Sequence, residues 1–154
     1  MGKPAVKIAV LTSSRADFGI YMPLLALLQS NNAFDLEVIA FGTHPAERYG
    51  YSLQHILDAG LKVVYSFDTA PLNDNPVDIS RSMAGVNLKM ADVWNETKYD
   101  LVFALGDRYE MFSAVASAMP FNLKIAHIHG GETTLGAIDN AFRHSITHMS
   151  YLHF

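Results

Sequence analysis

Residues capable of acid–base chemistry are concentrated in one short stretch of the sequence, AHIHGGETT, from Ala126 to Thr134. It continues the mostly apolar run LKIA (123–126) and holds two histidines, two glycines and a glutamate. In an extended chain His127 and His129 project to the same face, because side chains alternate along a strand. Imidazole and carboxylate groups transfer protons, and glycine lets the backbone approach a ligand closely. His129 and Glu132 are therefore candidate catalytic residues, whereas His127 is open to a functional or a core role.

Polar side chains also follow other apolar runs, in the stretches TSSRADFG, GTHP and GDRYE. These further candidates are Ser13, Arg15, Asp17, His44, Asp107 and Arg108. An arginine beside the start of a helix can hold a phosphate group bidentately. Asp17 and Asp107 are equally well explained as helix N-caps. The charged neighbours Arg108 and Glu110 favour a functional role for Asp107, since capping alone does not need them.

The stretch GAIDNAFRHSITH adds Asp139, Arg143 and His144 in the first turns of a predicted helix. His144 and His148 are four residues apart on one helix face, a spacing that can offer two ligands to a metal ion. The glutamate of an HExxH motif is missing, so this metal signal is weak and we expect no metal. The chain also lacks GxGxxG and GxxxxGK[ST], which disfavours a nicotinamide dinucleotide and a P-loop nucleotide. We expect no cofactor.

Apolar runs and helical patterns alternate along the whole chain. Strands are predicted at residues 6–12, 36–42, 61–67, 99–106, 123–129 and from 151, and helices at 16–31, 46–60, 77–98, 107–121 and 136–150. Pro23 lies inside the first helical pattern, so we expect that helix to start or kink there. Gly60 is typical of the residue that follows a helix end. Alternating strands and helices predict a parallel, doubly wound, Rossmann-like α/β sheet with right-handed crossovers.

Ligands of open parallel sheets bind beyond the carboxyl ends of the strands, beside helix N-termini. The candidate residues named above follow the predicted strands, whereas the opposite strand ends offer mainly ordinary turn residues. The sequence therefore predicts one functional rim, built by the loops at the carboxyl edge of the sheet.

Composition narrows the functional classes. The chain has 154 residues, half of them hydrophobic and 17% charged, and a net charge of −4. This is a globular profile, and an acidic chain without a basic cluster disfavours nucleic-acid and anionic-membrane partners. Cysteine is absent, which excludes disulfides and thiolate catalysis. With no signal-peptide pattern and no long apolar segment, we expect a cytoplasmic protein.

Five blocks, SSRADFG, FGTH, LGDRYEMF, HIHGGETTLGAID and FRHSITHMSYLHF, occur in this order along essentially the whole chain. Together they strongly resemble the hydrolysing UDP-N-acetylglucosamine 2-epimerases of bacterial sialic-acid-type pathways. The resemblance covers the first of two Rossmann-like halves in a glycosyltransferase-B-like architecture. The chain stops at Phe154 within an apolar strand, so we expect residues 1–154 to be the N-terminal domain of a longer protein.

The resemblance implies removal of the C2 proton of a UDP-sugar, elimination of UDP to leave a glycal, and addition of water to give an N-acetylmannosamine-type sugar. It implies catalytic roles for Asp107 and Asp139, diphosphate binding by Arg15 and sugar contacts near His44. Ser13, Asp17, Arg108, Arg143 and His144 are further expected substrate contacts. UDP-N-acetylglucosamine is the default substrate, and a UDP-2,4-diacetamido-trideoxy sugar is the alternative.

The identity of the C2 base stays open at this point. Some members of the family carry a glutamate at the position of His129, and this chain has one extra residue between Glu132 and Asp139. Glu132, His129 or Asp107 could therefore be the base. A metal-dependent phosphoesterase is disfavoured because the DxH and GNH[DE] motifs are missing. The chain by itself could also act only as a sugar-nucleotide-binding or oligomerisation domain, and we expect it to self-associate while turning over little substrate.

Overall fold

A computed structural model describes residues 4–154 of the chain. Eleven helices and strands form a three-layer α/β/α sandwich within that range. The strands are β1 (Val6–Thr12), β2 (Phe34–Ala40), β3 (Val63–Ser66), β4 (Leu101–Leu105), β5 (Ile125–Ile128) and β6 (Leu152–His153). The helices are α1 (Arg15–Gln29), α2 (Leu53–Asp58), α3 (Pro76–Glu96), α4 (Tyr109–Ala118) and α5 (Asp139–Met149).

The sheet has the strand order β3-β2-β1-β4-β5-β6 and every neighbouring pair is parallel. This confirms the predicted doubly wound α/β fold. The order reverses between β1 and β4, where Ile8 pairs with Leu101 and Val10 with Phe103. Such a reversal leaves a crevice at the carboxyl ends of the two strands, because their connections leave to opposite sides of the sheet.

Apolar side chains on the two faces of the sheet form two separate cores. One core joins β-strand residues to α3, α4 and α5, through side chains such as Met90, Met111 and Ile146. The other core joins the opposite face to α1 and α2, through Phe18, Leu25 and Ile56. Since both faces are covered, the central strands are continuous apolar runs, as the composition of Val6–Thr12 and Leu101–Leu105 indicated.

The structure differs from the prediction in where one helix starts and in the extent of another. Helix α1 begins at Arg15 and continues through Pro23, because a capping box between Ser14 and Asp17 fixes its start upstream of the proline. The predicted helix 46–60 is instead a 3₁₀ turn at Glu47–Tyr49 followed by α2. Gly50 and Tyr51 between them have φ values of +84° and +46°, which an α-helix does not accommodate. Gly60 follows the helix end with φ +71°, as predicted.

Among the described residues, 4–154, no helix is long and apolar enough to cross a membrane.

Candidate functional site

A cavity of about 460 Å³ opens at the carboxyl edge of the sheet, over the crevice between β1 and β4. Its walls come from the start of α1, from the turn after β4, from the loop after β5 and from α5. The lining residues are Ser14, Ala16, Asp17, Ile20, Leu105, Gly106, Asp107, Arg108, His129, Glu132 and Arg143. Six of the predicted site residues thus line one cavity: Asp17, Asp107, Arg108, His129, Glu132 and Arg143.

Arg143 is a buried charged group of this cavity, with 7% of its surface exposed. Its Nη2 donates a hydrogen bond to Oδ2 of Asp107. Its Nε and Nη1 are buried and have no hydrogen-bond partner in the structure. Nη1 is 3.9 Å from Oε2 of Glu132, which is an ionic contact but too long for a hydrogen bond. A buried guanidinium with two free donors at a cavity wall is suited to an anionic or carbonyl ligand.

His129 and Glu132 form a pair at the mouth of the cavity. Nδ1 of His129 is 3.2 Å from Oε1 of Glu132, and both side chains are well exposed. His129 has φ +60°, a left-handed conformation that costs a non-glycine residue of order 1 kcal/mol. This conformation turns the chain directly after β5. Because Nδ1 and Oε1 are within hydrogen-bond distance, the imidazole and the carboxylate can share a proton in the cavity.

Arg108 is held by Glu110. Its Nε and Nη2 donate to the two carboxylate oxygens at 3.1 and 2.7 Å, and Glu110 is fully buried. Burial lowers the pKa of Arg108, but hydrogen bonding and the charge of Glu110 outweigh it and raise that pKa above the ordinary arginine value. Arg108 therefore stays charged at the cavity wall with a fixed orientation. Glu110 supplies the orientation and explains the charge that sequence reasoning noticed beside Asp107.

The loop between β1 and α1 is held by Asp17. Its Oδ2 accepts hydrogen bonds from the backbone N–H of Ser13 and Ser14 and from the Ser13 hydroxyl, at 2.9–3.1 Å. Asp17 is 6% exposed and Ser13 is fully buried. Both residues thus fix the loop through these bonds, although Asp17 also lines the cavity. Arg15 is exposed at the first position of α1 and is not among the lining residues.

His44 has a different place from the one expected for a sugar contact. It is fully buried, with Nε2 2.8 Å from the Thr12 hydroxyl and Nδ1 2.9 Å from the Ser52 hydroxyl. Burial lowers its pKa to about 4, although the nearby charge of Asp17 opposes this. The imidazole is therefore neutral at neutral pH, and it is hydrogen-bonded to the end of β1 and is not among the lining residues of the cavity.

Two predicted residues on α5 lie outside the cavity wall. Asp139 is the first residue of α5 and partly buried, and His144 is exposed on the same helix. Neither is among the lining residues. Across residues 4–154, no three His, Asp or Glu side chains lie close enough together to hold a metal ion. His144 and His148 thus have no third protein ligand beside them.

Sequence reasoning missed five of the lining residues, namely Ser14 and the apolar or small residues Ala16, Ile20, Leu105 and Gly106. Ile20 is 52% exposed at the cavity wall. Ala16 and Ile20 are four residues apart and therefore share a helix face. That spacing was the available signal.

Comparisons with known proteins bear on this site and fold. A family model described as UDP-N-acetylglucosamine 2-epimerase matches residues 26–154. A GDP/UDP-N,N'-diacetylbacillosamine 2-epimerase (hydrolyzing) from Campylobacter jejuni is 33% identical over 148 residues, which are 96% of this chain and 38% of that protein. The polysialic acid biosynthesis protein P7 of Escherichia coli is 36% identical over 147 residues, 96% of this chain and 38% of that protein.

A UDP-N-acetylglucosamine 2-epimerase from Neisseria meningitidis is 28% identical over 147 residues, 96% of this chain and 38% of that protein. The crystal structure of the UDP-GlcNAc 2-epimerase from Neisseria meningitidis bound to UDP-GlcNAc superposes with a TM-score of 0.82 at 21% identity, covering 97% of this chain and 39% of that one. The chain thus spans about two fifths of the length of the relatives it matches.

Proposed function

Because the chain belongs to the UDP-N-acetylglucosamine 2-epimerase family, we propose that it is the sugar-converting half of a hydrolysing UDP-sugar 2-epimerase. The reaction would turn UDP-N-acetylglucosamine into N-acetylmannosamine and UDP. One observation carries the proposal: the carboxylates of Asp107 and Glu132, the imidazole of His129 and the half-paired guanidinium of Arg143 line a single cavity. The relatives are about two and a half times as long, so we include in the proposal a second domain that completes the nucleotide site.

In this reaction a base first removes the proton from C2 of the sugar, and the C1–O bond then breaks with its electron pair leaving on UDP. Glu132 is the proposed base. Its Oε1 contacts His129, and its Oε2 is free of hydrogen bonds at 3.9 Å from Arg143. Asp107 is the weaker candidate, because one of its oxygens is already bound by Arg143. A well-placed general base contributes roughly 10²–10⁴-fold to such a step.

The resulting glycal then adds water, with hydroxyl going to C1 and a proton to the face of C2 opposite to the one deprotonated. Asp107 lies in the same cavity as Glu132, and we propose that it delivers this second proton to C2. Arg143 and Arg108 carry the positive charge that would stabilise the departing diphosphate. The free donors Nε and Nη1 of Arg143 are unsatisfied without a ligand, which supports a substrate contact there.

A UDP-2,4-diacetamido-trideoxy sugar is the second candidate substrate. The observation that favours it is the 33% identity to the Campylobacter jejuni diacetylbacillosamine epimerase, compared with 28% to the Neisseria meningitidis UDP-N-acetylglucosamine epimerase. Both substrates would need the same chemistry at C1 and C2, so the residues discussed above keep their roles. The two sugars differ at C4 and C6.

Proton NMR of the complete gene product in D₂O, with each UDP-sugar and with or without EDTA, tests the proposal. Free UDP beside a product deuterated at C2, unaffected by EDTA, is the expected result. Glu132→Gln should then lose turnover by at least about 10²-fold, whereas the exposed Glu96→Gln on α3 should not. Absence of turnover with both sugars would refute the proposed reaction, and EDTA-sensitive UDP release without C2 exchange would indicate metal-dependent hydrolysis instead. The 154-residue chain tested alone should bind UDP-sugar without turning it over.

A further inference from the structure

His127 lies below the cavity, on β5, and has no surface exposed to solvent. Both of its ring nitrogens are nevertheless engaged. Nε2 is 2.7 Å from the carbonyl oxygen of Gly106, and Nδ1 is 2.9 Å from the hydroxyl of Thr147. A buried imidazole is stable only if its polar atoms are satisfied. His127 meets that condition through Gly106 and Thr147, which are 41 residues apart in the sequence.

The chemistry of these partners determines the tautomer of the ring. A carbonyl oxygen only accepts hydrogen bonds, so Nε2 must carry the proton and donate to Gly106. Burial lowers the pKa of His127, outweighing the opposing bond to Gly106, so the ring is neutral at neutral pH. Nδ1 is then unprotonated and accepts the hydroxyl proton of Thr147. The same hydroxyl is 3.3 Å from the carbonyl oxygen of Gly130, a longer contact.

Each of these partners adjoins a residue of the cavity. Gly106 has φ +79° and immediately precedes Asp107. Thr147 follows Arg143 by one helical turn on α5, the helix from which Arg143 reaches Asp107. Gly130 immediately follows His129, and a Cβ at Gly130 would lie only 2.6 Å from the ring of His127. One ring therefore touches all three segments that carry Asp107, His129 and Arg143.

We propose that His127 is a positioning residue of this site, whose ring holds the turn before Asp107 and helix α5 in the one arrangement that brings Arg143 against Asp107. It does not reach the cavity, since it is fully buried and is not among the lining residues. The proposal rests on the proposed function for its kinetic consequence only. The fixed tautomer and the placement of Arg143 follow from geometry alone.

The first test is spectroscopic and needs no turnover. The complete gene product is labelled with ¹⁵N-histidine, and the His127 signals are assigned by their loss in His127→Gln. We expect an Nε2-protonated neutral ring in long-range ¹H–¹⁵N spectra. An Nδ1-protonated ring, or a ring averaging between tautomers, would overturn the proposal, because the donor to Gly106 would then be missing.

The second test uses Thr147→Val, which removes the hydroxyl at nearly constant shape, with Thr147→Ser as the variant that restores it. Thr147→Val should lower kcat by roughly 10–100-fold and change KM by less than about threefold, since Arg143 remains in the cavity and can still bind the diphosphate while the alignment of the reacting groups is lost. Thr147→Ser should recover most of the rate. Ser145→Ala is the matched control, because its exposed hydroxyl bonds only to Ala141 of its own helix.

If the wild-type protein turns over no UDP-sugar, the side-chain ¹⁵N signals of Arg143 still test positioning by His127 independently of the proposed function. In that case the proposed function fails, but a resolved, slowly exchanging Arg143 guanidinium in the wild type and in Thr147→Ser, lost in Thr147→Val, would still support positioning by His127. Unchanged Arg143 signals in Thr147→Val, or a Thr147→Val enzyme with wild-type kcat, would refute it.

Discussion

Gly130 lies against the ring of His127 so closely that a Cβ on Gly130 would be 2.6 Å from Nδ1 of His127 and equally close to the hydroxyl of Thr147. Real Cβ atoms do not approach other heavy atoms to that distance. Gly130→Ala must therefore displace the ring or the helix. We expect it to destabilise the protein by about 1–3 kcal/mol, as overpacking of a close contact does, measured by urea denaturation.

Gly131→Ala is the matched control for that substitution. A Cβ there would meet no atom within 4 Å, so the free energy of unfolding should change by less than about 0.5 kcal/mol. Equal effects of the two substitutions would mean that the loop after β5 is not held against His127 as the structure has it.

Arg143→Met should separate ligand binding from stability. We expect affinity for UDP to fall by about 2 kcal/mol or more, because a buried donor to the ligand is removed. The free energy of unfolding should change by less than about 1 kcal/mol, since the free protein leaves Nε and Nη1 of Arg143 unsatisfied, and Asp107, whose side chain is 26% exposed, can be hydrated when its bond to Arg143 is lost. Calorimetric titration with UDP and urea denaturation measure the two quantities.

Arg81→Met on α3 controls for the loss of one positive charge, because the Arg81 side chain is 76% exposed and pairs with Asp78 of the same helix. It should leave UDP affinity unchanged. A large loss of stability in Arg143→Met without loss of UDP affinity would contradict the proposed ligand contact.

His44 should make the protein sensitive to acid. Its pKa is lowered to about 4 in the folded protein, compared with about 6.5 in an unfolded chain. Between those pH values the unfolded state binds more protons, so the contribution of His44 to stability is complete above pH 6.5 and is lost as the pH falls toward 4. The full loss is about 3 kcal/mol, seen as a falling urea midpoint.

His44→Gln should flatten this pH dependence, although it also lowers stability at neutral pH by disturbing the contacts with Thr12 and Ser52. His148→Gln replaces an exposed histidine of α5 and should leave the pH dependence as it is. A His44→Gln protein with an unaltered slope between pH 4 and 6.5 would show that His44 is not the titrating group.

Pro23 lies inside α1, is exposed, and has no N–H to bond to the preceding turn. Pro23→Ala should therefore stabilise the protein by about 1–2 kcal/mol, after the greater entropy of the unfolded chain is taken into account. Pro76→Ala, at the first position of α3, should bring no such gain, because a first-turn N–H has no helical partner. Urea denaturation of both variants distinguishes the cases, and equal effects would contradict this explanation.

Much of the fold was predictable because its main signals are local. Each central strand is a continuous apolar run, and its alternation with helical patterns is enough to indicate a parallel sheet. The helix at residues 46–60 was mispredicted because its apolar periodicity spans Gly50 and Tyr51, whose left-handed conformations are compatible with the tertiary structure but not with a helix. Pro23 does not mark the start of α1, because capping by Ser14 and Asp17, together with burial of Tyr21 and Leu25, outweighs the missing hydrogen bond.

The candidate site, like the fold, was predictable only where its signals are local in the sequence. That Asp107, His129 and Glu132 share one rim follows from strand ends alone. The partners of these residues could not be predicted from strand ends, because the bond of Arg143 to Asp107 and the burial of Glu110 under Arg108 depend on how the helices pack. His44 shows this most clearly: its position at a strand end predicted a ligand contact, but the side chain turns inward to Thr12 and Ser52.

The reversal of strand order between β1 and β4 also determines which folding states a ligand can stabilise. The two sides of this crevice are far apart in the chain, since Lys7 contacts Asp100 across 93 residues. Closing so long a loop precedes any gain from the pairing, and the cavity takes Ser14 and Asp17 from one side and Asp107, Glu132 and Arg143 from the other. A chain in which only one half of the sheet has formed therefore has no cavity. A ligand that binds the cavity stabilises the complete fold and does not stabilise partly folded states.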